Sequence, residues 1–381
     1  MDGKRLIEKI RLRNILSFGD LGEEIELQPL NVVIGQNASG KSNLVDVIKL
    51  LRSLPQDKGL TAFIGDNGGI GEWIWKGRRN DEHVESTEIS VLFKDLEYLL
   101  RFGRINQNLD IVYEHVNQEK LPNPIANHGS FNLANIGTSM LARLADYKEN
   151  LDKISLEKVI SLFGQVINIF SKITTYTDLQ TNRQSEIRRP QTIDSLSDFL
   201  EEDGSNLGLV LKSLVQMKNI KSNLIKNLRK FYPRITDYEI IDVGDYIQLY
   251  LNEENLEKPI SAKRLSDGTL RYLCLLAILC HPEPPPLICI EEPETGLHPD
   301  ILPTIAELMI EASQRTQLIV TTHSDILVSA FSEVPEAVLV CEKDEDGTHF
   351  KRLEKDKLKA WLKEYELGDL WLRGEIGGKR W

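Results

Sequence analysis

Gly35-Gln36-Asn37-Ala38-Ser39-Gly40-Lys41-Ser42 is a full match to the pattern G-x-x-x-x-G-K-[ST], and its flanks decide the fold. Upstream, Leu30, Val32, Val33 and Ile34 read as a buried strand. Downstream, Asn43 to Leu54 reads as a helix, so strand, glycine loop and helix come in the order that cradles phosphate. Gly35 and Gly40 permit conformations and close approaches that a Cβ would block. Consecutive N–H groups of the loop, those of Asn37, Ala38 and Ser39 among them, can then point at one phosphate. The helix N-terminus adds its partial positive charge. Lys41 is placed to reach the β and γ phosphates and the Ser42 hydroxyl to ligate Mg²⁺, a small hard cation that prefers oxygen. The stretch therefore implies a nucleoside triphosphate site. The competing reading is a glycine turn between strand and helix that carries a lysine by chance, and the full pattern with its flanking periodicity weighs against it.

The whole chain bounds what can surround this loop. Its 381 residues allow two to three domain-sized units, or one enlarged core carrying an insertion. A net charge of −12, with 27% charged residues, describes a surface that on average repels nucleic acid, so DNA contact would need a local basic patch. The cysteines, Cys274, Cys280, Cys289 and Cys341, sit among apolar neighbours without a C-x-x-C pair, the pattern of buried free thiols rather than of a zinc site. Lys4, Arg5, Glu8 and Lys9 interrupt any signal-peptide core, and the longest apolar run, Leu273 to Cys280, is too short to span a bilayer. No membrane partner and a cytoplasmic location are the expectation.

Ahead of the glycine loop, Leu6 to Phe18 looks like a strand with one wet face, and Ile25 to Leu27 like its partner. Pro55 to Gly71 is rich in glycine and reads as a mobile loop, and Trp73 and Trp75 alternate as in a strand. Glu88 to Phe93, Tyr98 to Phe102 and Asp110 to His115 read as an antiparallel meander that completes a lobe over residues 1–125. The period then turns helical through Leu141, Leu144 and Leu151 and on through Leu156, Val159, Ile160, Phe163, Ile167 and Phe170. This predicts a helical insertion over 126–235, with a polar loop from Thr174 to Ser197 and a last helix from about Asn206 to Tyr232.

That last helix carries Lys212, Lys218, Lys221, Lys226, Arg229, Lys230 and Arg234 in a window, Gly204 to Thr236, that holds no acid. Such a face either contacts a phosphate backbone or is solvated and meets acidic neighbours in the fold. A second lobe over 236–381 opens with a hairpin, Tyr238 to Ile241 and Tyr246 to Leu251. Leu265-Ser266-Asp267-Gly268-Thr269 then precedes an apolar helix, with Ser266 placed to cap it and to offer its N-terminus to an anion.

Leu287 to Ile290 is a short buried strand that ends in Glu291-Glu292. Carboxylates at the C-terminal edge of an α/β sheet stand where ligands bind. Ile301 to Arg315 reads as a helix and Leu318 to Thr322 as another buried strand, with His323 just past its end. Lys355 to Tyr365 reads as a helix with Leu358, Trp361 and Leu362 inward. The basic, aromatic tail from Leu370 to Trp381 is either a docking segment or a frayed end.

Taken together these motifs resemble the ABC-type ATPase heads of the RecF, SMC and OLD-like families, most closely the small ones without a long coiled coil. Ile10 to Phe18 looks like the opening strand, Gly35 to Ser42 like the Walker A loop, and Leu265 to Thr269 like the signature motif. Leu287 to Glu292 looks like Walker B, Glu294 to Pro299 like the D-loop region, and His323 like the switch histidine. The resemblance implies an α/β fold, an ABC-type P-loop head with a mixed β core, an antiparallel lobe and an inserted helical subdomain.

It also implies ATP and Mg²⁺ as ligands, with Lys41 on phosphate, Ser42 and Glu291 at the metal, Glu292 polarising the attacking water and His323 at the γ-phosphate. Ser266 and Gly268 would close over nucleotide bound by a second copy, in a head-to-head homodimer. Three departures stand out: Glu291 replaces the usual aspartate, Asp267 stands where many relatives have glycine, and no glutamine lies between Trp73 and Phe93. Slow hydrolysis is the expected consequence. The resemblance thus points to a switch that controls DNA engagement or a separate effector or nuclease chain, as in repair or phage defence. The alternative is a nucleotide-gated scaffold with little turnover.

Overall fold

The computed structural model describes residues 3–56, 59–77, 86–105, 108–118, 153–193, 198–217 and 219–378. In chain order these form β1 (Lys9–Arg13), β2 (Glu23–Glu26), β3 (Leu30–Gly35), α1 (Lys41–Ser53), α2 (Gly59–Asp66), α3 (Ile70–Trp73), β4 (Ser86–Leu92), β5 (Leu96–Ile105), β6 (Asn108–Gln118) and α4 (Lys153–Phe170). Then come β7 (Ile173–Tyr176), β8 (Gln191–Thr192), α5 (Leu207–Val215), α6 (Ile220–Phe231), β9 (Ile235–Val243), β10 (Tyr246–Glu253) and β11 (Ile260–Ser261). The last are α7 (Asp267–Leu279), β12 (Leu287–Glu291), α8 (Leu302–Ala312), β13 (Gln317–Thr321), α9 (Asp325–Ser329), β14 (Val338–Lys343), β15 (Thr348–Arg352) and, after a short turn of helix at Lys355–Leu358, α10 (Leu367–Leu372). The chain divides into two compact units. Arg5–Ile173, Glu336–Leu353 and Arg373–Trp381 make one, and Met1–Lys4, Thr174–Pro335 and Glu354–Leu372 the other.

The first unit holds the phosphate loop. Its antiparallel sheet runs β2-β1-β4-β5-β6, with Ile10 opposite Val91 and Leu12 opposite Ile89. Period-two alternation explains its two faces, since Thr87, Ile89 and Val91 are buried while the residues between them are half-buried. Phe170, at the end of α4, covers the sheet with its ring edge-on to Tyr98 at 5.2 Å and tilted against Phe93 at 6.0 Å. In the same unit β3 is buried at every position and pairs in parallel with β14, which pairs antiparallel with β15. A strand covered on both faces is mostly apolar, which is why Leu30 and Val32 to Ile34 carry no alternation, and the one buried polar residue, Asn31, is satisfied by the Gln28 backbone at 2.6 and 2.8 Å.

The meander lies where the sequence places it. The stretch from Pro55 to Gly71 does not form the expected loop: it contains α2 and the start of α3. Leu60, Ile64 and Trp73 are buried, and the Phe63 and Trp73 rings meet edge to face at 5.6 Å. Burial of these side chains overrides the low helix propensity of the glycines. Gly68 and Gly69, at φ 91° and 79°, make the turn between the two helices. Trp73 and Trp75 are not in a strand, because Trp73 closes α3 and Ile74 forms an isolated bridge with Ile15. Leu141, Leu144 and Leu151, read as helical, lie outside the described residues.

In the second unit β9 and β10 form the expected hairpin, with β8 and β11 both on the edge of β10 that β9 leaves free. The single helix expected from Asn206 to Tyr232 is two, α5 and α6, broken at Asn219, whose φ of 66° is left-handed. Asparagine tolerates that conformation, and no glycine or proline announces the break. β12 and β13 run in parallel from Leu287 opposite Gln317 to Glu291 opposite Thr321, so their carboxyl ends finish together. Beyond Leu358 the expected helix gives way to a 3-10 turn, and Trp361, expected inward, is 44% exposed. Leu370 and Trp371 are instead fully buried in α10. Gly368 lets α10 approach α9, where a Cβ would overlap the Asp325 carbonyl and the Ser329 hydroxyl.

One pH-sensitive contact follows from the first unit. His349 on β15 lies 3.0 Å from Glu23 and 3.2 Å from Asp344. Burial pushes its pKa down, but the two carboxylates outweigh this and raise it above 6.5. A raised folded-state value gives stability that is complete below the unfolded value and lost as pH climbs through the folded one. The melting temperature should fall from about pH 6.5 upward. In His349→Gln that pH-dependent part should be gone, as differential scanning calorimetry across the window will show.

Candidate functional site

The phosphate loop is shaped by what presses on it. A Cβ on Gly35 would overlap the Cys341 carbonyl, and one on Gly40 would overlap the Thr348 hydroxyl and come 2.6 Å from that of Ser17. Gly40 adds a φ of 112°, and Ala38 sits at φ 62°. Thr348 Oγ1 donates to the Ser39 carbonyl at 2.7 Å, and the Cys341 thiol reaches the same carbonyl at 3.4 Å. Burial pushes that thiol up to about 11, so it packs as an inert group beside the loop. The four cysteines are all buried and free.

Lys41 is 5% exposed, and its ammonium donates to the carbonyls of Gly35 at 2.9 Å and Gln36 at 2.7 Å. Ser39 Oγ is buried with no hydrogen-bond partner among the described residues. A cradle closed to any Cβ, a buried ammonium across it and an orphaned hydroxyl beside it are the donor set that a polyphosphate fits. Ser42, exposed at the start of α1, and Glu291, half-buried at the end of β12, offer the hard oxygen donors that Mg²⁺ prefers.

A cavity of about 610 Å³ adjoins the loop, lined by Gln36 to Ser39, by Cys341 to Asp344 and by Gly374, Gly377 and Gly378. The backbone N–H of Gly378 donates to Glu342 Oε1 at 2.7 Å. The sequence gives no hint that this end of the chain lines a wall beside the phosphate loop. Gly40→Ala should distort the cradle, at roughly 1–3 kcal/mol for the backbone conformation alone. Calorimetric titration with ATP should show its binding lost while the fold, read by circular dichroism, survives.

The carboxylates and the histidine meet in the second unit. Glu291 ends β12, and Glu292 follows at φ 45°, its N–H donating to the Thr321 carbonyl at 2.9 Å. A left-handed glutamate is a strained residue held by its surroundings. His323 Nε2 lies 3.8 Å from Glu292 Oε1, with the carboxylate half exposed. Arg271, from α7, donates to the Glu292 carbonyl at 3.3 Å, and burial lowers its pKa. Glu294 accepts from the Thr322 hydroxyl at 2.7 Å and the His323 N–H at 2.8 Å, and burial raises its pKa. Arg271 carries no motif, and the D-loop-like region that Glu294 opens does not reveal these contacts.

Ser266 caps α7, its hydroxyl accepting from the Thr269 N–H at 3.0 Å, and is exposed. Gly268 lies against the next loop, since a Cβ there would come 2.9 Å from the Gly296 carbonyl. Asp267 is paired with Arg188, a buried arginine from the segment read as a polar loop. The structure thus gathers Glu291, Glu292 and His323 at one strand edge. It sets Ser266 and Gly268 at a helix start in the same unit and builds the loop from Gly35 to Ser42 in the other. Among the described residues no three His, Cys, Asp or Glu side chains cluster as a metal cage, and no helix is long and apolar enough to cross a membrane.

Heads of Smc proteins are among the solved structures similar to this fold. An Smc head bound to the C-winged helix domain of ScpA matches with a TM-score of 0.58 at 15% identity, over 93% of this chain and 99% of that one. The Smc head of Pyrococcus furiosus, with an extended coiled coil and bound to the C-terminal domain of ScpA, gives 0.53 at 15% identity, over 94% and 99%. The Smc head of Pyrococcus yayanosii, with a coiled coil and joint, gives 0.52 at 11% identity, over 94% and 99%. At these identities the likeness is one of fold, and the fold is that of the ABC-type ATPase heads of the RecF and SMC group. No curated protein matches the chain. A family model described as "AAA domain, putative AbiEii toxin, Type IV TA system" matches residues 30–120 and 134–329, and the chain belongs to that family.

Proposed function

We propose that the chain is an ATP-binding and ATP-hydrolysing head that dimerises around nucleotide and uses the dimer to control a partner. The observation that carries this reading is Glu292 in a strained conformation at the end of β12, with its carboxylate 3.8 Å from His323. Phosphoryl transfer asks the protein mainly for positioning and charge stabilisation. Lys41 and the loop N–H groups hold the phosphates. Glu292 takes the proton of the attacking water and His323 steadies the terminal phosphate. Ser42 and Glu291 are the residues that would serve as ligands of Mg²⁺, which would neutralise the phosphate oxygens when bound. Ser266 and Gly268, exposed and half-buried at the start of α7, suit closure onto nucleotide held by a second copy.

The partner is a separate effector chain or DNA. The Smc heads of similar fold are bound to domains of ScpA, which favours a protein partner on such a head. The acid-free stretch favours DNA less than its sequence suggests, because Lys212, Lys221 and Lys230 pair with Asp242, Asp237 and Glu307. Lys218 lies outside the described residues, while Lys226 and Arg234 are exposed. Light scattering with and without magnesium ATP, together with steady-state hydrolysis against protein concentration, tests the reading. A dimer that forms only with nucleotide and turnover that rises more than linearly with protein are expected. A monomer with no ATP turnover would overturn it.

A further inference from the structure

β12 and β13 end side by side, and one carboxylate joins the loops that leave them. Glu294 Oε1 accepts from Thr322 Oγ1 at 2.7 Å and from the His323 N–H at 2.8 Å. Thr322 Oγ1 accepts in turn from the Ser324 N–H at 3.0 Å, and Ser324 Oγ caps α9 by accepting from the Leu327 N–H at 3.2 Å. The path from strand end to helix start, through His323, is therefore pinned at consecutive residues from one oxygen. Glu294 Oε2, the other oxygen, is buried with no hydrogen-bond partner among the described residues.

A buried carboxylate oxygen without a partner costs stability. The two bonds made by the other oxygen hold the segment that carries the imidazole standing 3.8 Å from Glu292. We infer that Glu294 is a positioning residue that fixes the backbone of His323 so that its ring faces Glu292. The inference rests on the ATPase reading for its catalytic consequence and on geometry for the anchoring.

Two measurements separate those parts. Amide exchange over residues 321–325, read by mass spectrometry, should speed up about tenfold or more in Glu294→Ala, because the His323 N–H loses its acceptor. It should stay slow in Glu294→Gln, whose amide oxygen can accept both bonds. Turnover of ATP should fall about tenfold or more in Glu294→Ala with KM within about twofold, and recover most of the wild-type value in Glu294→Gln. Thr322→Val removes the Thr322 bond to Glu294 and also the acceptor of the Ser324 N–H, so it is read at the His323 amide alone, where its effect should fall between, and it covers the case of an alanine variant that does not fold. Unchanged exchange in both Glu294→Ala and Thr322→Val, or a glutamine variant as inactive as alanine, would overturn the proposal. A wild-type protein that hydrolyses no ATP would instead defeat the ATPase reading, with the exchange result still deciding the anchor.

Discussion

Glu292→Gln should lower the steady-state turnover of ATP by about a hundredfold to ten-thousandfold while leaving nucleotide binding in place, a loss of the size that removing a general base produces. The substitution is close to isosteric, so geometry is retained and proton transfer alone is lost. What holds residue 292 is its backbone: the N–H bonds to the Thr321 carbonyl at 2.9 Å, and its carbonyl receives Arg271 at 3.3 Å. The side chain, 52% exposed, contributes little to stability, so the melting temperature should not move. A variant that binds ATP and hydrolyses it slowly should also accumulate the closed dimer, visible by light scattering at stoichiometric ATP. Turnover equal to that of the wild type would remove Glu292 from the chemistry and favour the alternative of a nucleotide-gated scaffold, with which Glu291 in place of aspartate and the missing glutamine between Trp73 and Phe93 agree.

The parts of this site that could be read in the sequence are those in which chemistry fixes spacing. A phosphate loop needs its glycines, lysine and hydroxyl at set intervals, and Gly35 to Ser42 presents them between a strand and a helix. The buried parallel strands announced themselves as short apolar runs, and residues just beyond them, Glu291, Glu292 and His323, fall together because β12 and β13 share a register. The failures have a different physical origin. Gly59 to Trp73 folds as helices because Leu60, Ile64 and Trp73 find a core, which no local window contains. Asn219 breaks a periodic pattern without interrupting its apolar stripe. Trp361, expected inward, is exposed, since periodicity in so short a segment does not say which face meets the rest of the unit, and the buried Trp371 lies in a tail that has no clear periodicity. Glu294 and Arg188 act across distances of 28 and 79 residues, and such contacts have no signature in spacing.

Arg188→Ala should destabilise the second unit by about 3–5 kcal/mol, the cost of leaving several buried backbone carbonyls without their donor. Arg188 is 5% exposed, and its guanidinium serves acceptors on both segments it joins. Nε donates to the carbonyls of Thr181 and Asn182, both at 3.0 Å, and Nη1 to those of Ala262 at 3.2 Å and Leu265 at 2.7 Å. Nη2 donates to Thr181 at 2.8 Å and to the Asp267 carboxylate. Removing the arginine strands those carbonyls and frees the turn that sets Ser266 at the start of α7. Asp267→Gly removes only a carboxylate that is 63% exposed and leaves the carbonyl bonds intact. It should cost about 1 kcal/mol or less. The departure at position 267 is therefore matched by a partner at 188 rather than a defect in the motif. Urea unfolding of both variants decides between these accounts, because equal losses would mean that the ion pair, and not the set of backbone bonds, holds the turn.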